Sequence, residues 1–273
     1  VLGLDDQRRV QVVDEFQSAE QMLGIARSGG TVAISPHAPY STHWKVIETA
    51  CSISREWKIP LAMHLAESPE ELTLLQTHSG PFRELLDSLG VWNEKAIPKG
   101  GSYLDYLKLL SSSHRCLVIH GNYLNNEEIE FLAGQRDSMG VVYCPRTHAY
   151  FGHRPYPLAG MLRRGVHVAV GTDSRASSPD LNLLAELRTI AENHPSVSPE
   201  QVLRLGTVEG ATALGVGDEV GSLESGKRAD MAVFALDGDV TEDIYQVLLS
   251  HETRCIATFI SGQAVAQVDG PCQ

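Results

Sequence analysis

The sequence predicts an α/β protein built on parallel strands. Three observations carry this. Short apolar runs recur along the first 173 residues, helix-like segments separate them, and each run leads into a histidine or an aspartate. Runs that are apolar throughout rather than alternating are how strands buried on both faces read. Strand, helix, strand, helix in succession implies right-handed crossovers and a parallel sheet.

The elements follow in order. The run "TVAIS" at residues 31–35 leads into Pro36 and His37. "STHWKVIETACSISREW" (41–57) reads as a helix capped at Ser41 or Thr42, with Trp44, Ile47 and Cys51 on one face. "LAM" (61–63) ends at His64, and Glu67 follows three residues later. Residues 68–115 form a long insert that reads as two or three helices, and excursions of this kind often build pocket walls. "CLVI" (116–119) ends at His120, and "NNEEIEFLAGQ" (125–135) is a helix with an Asn cap and an acidic first turn. "VVY" (141–143) leads into Cys144, Pro145 and His148, and "VHVAV" (166–170) leads into "GTDS" with Asp173. "PDLNLLAELRTIAEN" (179–193) and "SPEQVLRLGTVEGATALG" (198–215) read as helices, the second ending at a glycine.

Five such strands leave two parallel architectures open, a doubly wound sheet or part of an eight-stranded barrel. The glycine-rich phosphate fingerprint, the Walker A loop and the G-x-S-x-G elbow are all missing, and "GVGDEVG" (215–221) is a loop. After Gly215 the pattern changes to short strand-like pieces, "GSLESGKRADMAVFAL" and "RCIATFISGQAV", with "EDIYQVLLS" as a helix-like piece between them. Residues 1–215 and 216–273 are therefore read as two domains, the second a small β unit.

Composition narrows the partners. The net charge of −12 and pI near 5.3 disfavour nucleic acid and anionic membranes. The five cysteines are scattered without a C-x-x-C pair, which suits reduced thiols in a cytoplasmic protein. No apolar run approaches the ~18 residues of a membrane span, and no secretory signal opens the chain.

His37, His64, Glu67, His120, His148 and Asp173 all fall at or just past strand C-termini, the face where parallel α/β proteins bind ligands. Any one of them has a plain structural alternative: a satisfied histidine, a turn residue at Asp173, a helix cap at Glu67. Six together on one face argue for a site. His64 and Asp173 offer imidazole nitrogen and carboxylate oxygen, which suit a zinc- or iron-type ion. Glu67 can move protons, and His120 can hold the attacking water. Cys144 has no activating partner in sequence and His167 opens its strand, so both read as structural; His153, in a loop, is a weaker candidate for ligand contact.

The segments "SPHAPYS", "HLAES", "VIHGNYL", "CPRTHAYFG", "VGTDSRASS" and "GSLESGKRADMAVF" stand in the order found in the amidohydrolase superfamily. The chain resembles its branch of cytosine, guanine, S-adenosylhomocysteine and triazine hydrolases, and within it the aminodeoxyfutalosine deaminases. The resemblance implies a (β/α)8 TIM-type barrel of which about strands 4–8 are present, plus the C-terminal part of a small β-sandwich. It implies that His64 and Asp173 are metal ligands, that Glu67 is the proton shuttle and that His120 orients the water. His37, His148 and Ser177 then line the substrate pocket. One divalent metal is expected, zinc first, with iron or manganese as alternatives. The expected substrate is a small aminated heterocycle, and a homo-oligomer is left open.

The family's first-strand H-x-H pair is absent from these 273 residues. The chain is accordingly expected to be a C-terminal portion of a larger enzyme, not an independent folding unit, and inactive alone. Three functions stay open: a hydrolytic deaminase, a chlorohydrolase or other amidohydrolase on the same site, and a non-catalytic segment.

Overall fold

The computed structural model describes residues 32–236 and 243–267, together with residues 3–5, 7, 10, 11, 14 and 15. The chain divides into two compact units, Val1–Val142 with His153–His167, and Tyr143–Gly152 with Val168–Gln273.

In the first unit, α1 (Trp44–Trp57) precedes β1 (Pro60–Leu65). The insert folds into three helices, α2 (Pro69–Thr77), α3 (Pro81–Ser88) and α4 (Tyr103–Leu110). β2 (Arg115–His120), α5 (Asn126–Gly134) and β3 (Met139–Tyr143) follow. β1 and β2 run parallel with His64 opposite Ile119 and Leu65 opposite His120, and β2 runs parallel to β3. Burial alternates along β1. Leu61, Met63 and Leu65 are fully buried, while Ala62 and His64 lie on the other face. Each of the three buried side chains stabilises the core by about 1.5–3 kcal/mol.

In the second unit, α6 (Pro145–Tyr150) follows the last residue of β3, and β4 (Val168–Val170) leads to α8 (Leu183–Asn193), α9 (Pro199–Leu205) and α10 (Val208–Ala213). The short helix α7 (Leu158–Arg163) belongs to the first unit. β1, β2 and β3 stand in that order in a parallel sheet. The tail holds β5 (Met231–Ala235), α11 (Ile244–Leu249), β6 (Arg254–Ile260) and β7 (Gln263–Gln267), with an antiparallel three-stranded sheet ordered β5-β6-β7.

The α/β class with parallel strands is as the sequence predicts, and four details differ. Residues 32–35 make no strand: Ile34 alone bridges to Leu61, through bonds to Pro60 and Ala62, and Thr31 lies outside the described residues. Pro36 has no N–H to continue that ladder. The cap of α1 is His43, not Ser41 or Thr42, because its Nδ1 accepts from the Lys45 N–H at 3.1 Å. The helix expected over 198–215 breaks between α9 and α10 at Gly206 and Thr207, and the Thr207 backbone is non-helical (φ −123, ψ −96). A Cβ at Gly206 would meet Leu187 Cδ2 at 2.9 Å, so a larger residue there would have to shift that side chain. Finally, residues 221–230 form no strand, and β5 begins at Met231. Among the described residues, no helix is long and apolar enough to cross a membrane.

Candidate active site

Four of the expected site residues meet in the first unit. His64 is the penultimate residue of β1. Its Nδ1 lies 2.8 Å from the His37 carbonyl oxygen. A carbonyl only accepts, so Nδ1 carries the proton, and the Nε2 lone pair is left for an electrophile. The His37 ring stands 5.0 Å from that of His64, and its Nδ1 is 2.7 Å from the Ser41 hydroxyl. Burial, and then the neighbouring His64 imidazole, lower the pKa of His37.

His120 ends β2 and is buried. Strand alternation would send it to the face of Leu65, its register partner. Its left-handed backbone (φ 75) ends the alternation, and its ring lies 5.4 Å from that of His64. Such a conformation costs a non-glycine residue about 1–2 kcal/mol. Strain of this kind concentrates at working sites. Gly121 follows at φ 65, where a Cβ would press on Leu124 and Val141 at 3.1 Å. Tyr156 Oη donates to the His120 carbonyl at 2.8 Å. Glu67 Oε1 lies 3.5 Å from His120 Nε2, and its side chain is 24% exposed. Glu67 does not cap α2. Ser68 holds the cap position, and Glu71 bonds the N–H groups of Ala66 and Glu67.

The second unit holds the other expected residues. Asp173 also has a left-handed backbone (φ 55), and its Oδ2 accepts from Ser177 Oγ at 3.0 Å. Ser177 Oγ is also 2.9 Å from Thr147 Oγ1. Ser177 thus orients the Asp173 carboxylate. His148 is buried on α6, edge-on to Tyr143 with ring centroids 5.7 Å apart.

The loop after Asp173 is tied down by Arg146. Its guanidinium bonds Glu186 Oε1 at 2.6 Å, Ser178 Oγ at 2.9 Å and Asp180 Oδ1 at 2.6 Å. Glu186 is fully buried. Arg146→Met should therefore destabilise the fold by about 3–5 kcal/mol, because a buried carboxylate loses its cation. The double change R146M/E186L should recover most of that loss. Urea unfolding measures both, and a single-variant loss below about 1 kcal/mol would show that the pair does not hold this loop.

Sequence reasoning missed Glu71, Asn122 and Thr147 as neighbours of the site. Of these, Glu71 had a readable signal. It stands three residues after Ser68, the capping-box position, although it reaches past the cap to Ala66 and Glu67. Among the weaker candidates, His153 Nδ1 lies 3.1 Å from Tyr123 Oη, and burial lowers its pKa. Cys144 is buried, as expected.

The model of the amidohydrolase family matches residues 4–265. The chain belongs to the amidohydrolase family. It is 26% identical to the 5-methylthioadenosine/S-adenosylhomocysteine deaminase of Pyrococcus abyssi, over 98% of this chain and 61% of that protein. It is 30% identical to the protein of the same name from Moorella thermoacetica, over 85% of this chain and 51% of that protein. The chain thus spans roughly half the length of the curated relatives it matches. In fold it is similar to the aminofutalosine deaminase of Helicobacter pylori in complex with methylthio-coformycin. The TM-score is 0.83 at 24% identity, covering 97% of this chain and 65% of that one.

Proposed function

We propose that this chain carries the catalytic strand ends of a metal-dependent hydrolase that deaminates an aminated purine or related heterocycle. The observation that carries the reading is the His64 tautomer. A carbonyl behind Nδ1 fixes the ring and leaves Nε2 as a donor, the usual outer-shell arrangement of a metal-binding histidine.

The donor chemistry fits a zinc-type ion. Imidazole nitrogen from His64 and His120 and carboxylate oxygen from Asp173 are donors that suit such an ion. We assign His64 and Asp173 as ligands, and His120, whose Nε2 faces Glu67, as the residue that orients the water. When bound, a divalent ion supplies Lewis acidity that brings the pKa of water toward ~7. Asp173 takes a proton from the water as it adds to the amidine carbon. Glu67 delivers a proton to the ring nitrogen, and His120 keeps the water in line. Asp173 passes its proton to the amino group, the C–N bond breaks and ammonia leaves, and the hydroxyl proton returns to Glu67 as the ring carbonyl forms. His37, His148 and Ser177 are assigned to the substrate pocket, and Ser177 also holds Asp173.

We also read β1 to β4 and the Ile34 bridge as an arc of a (β/α)8 barrel formed by residues 1–215. Residues 216–273 are read as part of a small β-sandwich. The likeness to the deaminase fold supports both assignments.

The test is a screen of the intact, zinc-loaded enzyme against adenosine-type nucleosides, other aminopurines and chlorotriazines. Release of ammonia from a nucleoside is the expected result. Chloride release without ammonia would replace deamination by the chlorohydrolase reading, and neither product would remove both.

A further inference from the structure

We infer that Glu71, with Asn122, is a positioning residue that sets the aim of the Glu67 carboxylate. The inference rests on the reading of Glu67 as the proton shuttle, and goes beyond it to what holds the shuttle in place.

Six main-chain groups from Leu65 to Ser68 are bonded. The carbonyls of Leu65 and Ala66 accept from the N–H groups of Gly121 and Tyr123, both at 3.0 Å. The N–H groups of Ala66 and Glu67 donate to Glu71 Oε1 and Oε2 at 3.0 and 3.3 Å. The Glu67 carbonyl accepts from Asn122 Nδ2 at 3.0 Å, and the Ser68 carbonyl from Tyr103 Oη at 2.9 Å. The strand ends that carry Glu67 and His120 are thus laced together.

Within the lacing, the Gly121 and Tyr123 bonds are main chain to main chain and register the two loops. Glu71 does something separate. It grips both peptide N–H groups on either side of Ala66, a residue in the left-handed region (φ 57). Without the grip, Ala66 can relax and turn the peptide that leads to Glu67. A tilt of roughly 20° there would carry the carboxylate about 1 Å from its place, and a misplacement of that size can cost about a hundredfold in rate.

Glu71 is fully buried, yet it sits in the first turn of α2, where exposure to solvent is the norm for a carboxylate. Burying it is unfavourable unless its bonds compensate. Those bonds go to the shuttle loop. Asn122, 2% exposed, makes the matching bond from the β2 side.

The experiment compares E71Q and N122A with the unaltered protein, all in the intact enzyme, by amide hydrogen exchange, bound zinc, thermal unfolding and steady-state kinetics. In E71Q one N–H meets an amide group that cannot accept. Exchange at Ala66 and Glu67 should quicken while the amides of β1 and β2 keep their protection. Bound zinc should not change, kcat should fall roughly ten- to hundredfold, and KM should move by less than about threefold. N122A should lower kcat in the same way through the Glu67 carbonyl. Unchanged exchange at Ala66 and Glu67 in E71Q overturns the clamp. Quickened exchange with unchanged kcat overturns the positioning role. Equal losses in kcat, zinc and melting temperature in both variants would make Glu71 a fold residue only, and also overturn it. If the unaltered protein deaminates nothing, the reading of the site fails on its own, and the exchange data still decide whether Glu71 clamps the loop.

Discussion

Glu67→Gln is expected to lower turnover by about 10²–10⁴-fold and to leave bound zinc at its wild-type level. The geometry separates these two effects. The Glu67 carboxylate is partly exposed and 3.5 Å from His120 Nε2, so it is near the reacting groups and open to a substrate. Its main-chain bonds to Glu71 and Asn122 do not involve its side chain and survive the change. Gln has the same length and shape, and loses only the ability to carry a proton. Zinc analysis and kcat measured on the same preparation check the result. Zinc lost together with activity would make Glu67 a ligand. A kcat near that of the unaltered protein would leave proton transfer to another group.

The strand ends were legible because two patterns coincide there. "LAM" and "CLVI" are apolar throughout, and a parallel strand buried on both faces has no other way to read. A histidine closing such a run stands out against it, and His64 and His120 do sit at the ends of β1 and β2. What the pattern lacked was orientation. Alternation places His120 beside Leu65, yet its backbone takes a positive φ and its ring lies 5.4 Å from that of His64. No residue type announces that conformation as glycine would. Residues 32–35 looked like a strand by composition, but pairing depends on partners, and Ile34 alone found one. The break at Gly206 and Thr207 was hidden for a similar reason. A glycine inside a helical pattern is tolerated, and the close approach of Leu187 to it is a tertiary contact. Glu71 was the signal in plain view. Its spacing from Ser68 marks a helix start, and the same spacing lets it reach back to the shuttle loop.

His64→Ala should behave in the opposite way to Glu67→Gln, losing zinc and activity together. Loss of a mere outer-shell partner weakens metal binding by about 10–100-fold, so removal of a ligand should exceed that. The fold should survive the change. His64 lies on the face opposite Leu61, Met63 and Leu65, so truncation leaves the buried side of β1 intact. The His37 carbonyl accepts from the His64 main-chain N–H at 2.9 Å as well as from the ring, so it keeps a donor in the variant. In the intact enzyme, apoprotein melting temperatures of the variant and the unaltered protein should therefore agree, while zinc should raise only that of the unaltered protein, since a ligand bound to the folded state stabilises it by mass action. Equilibrium zinc binding followed by calorimetry, with melting curves at matched zinc concentrations, reads both quantities without any substrate. A variant that kept full zinc affinity would remove His64 from the ligand set. The fixed Nδ1 bond to His37 would then be a packing device, and the metal assignment would pass to the other strand-end donors.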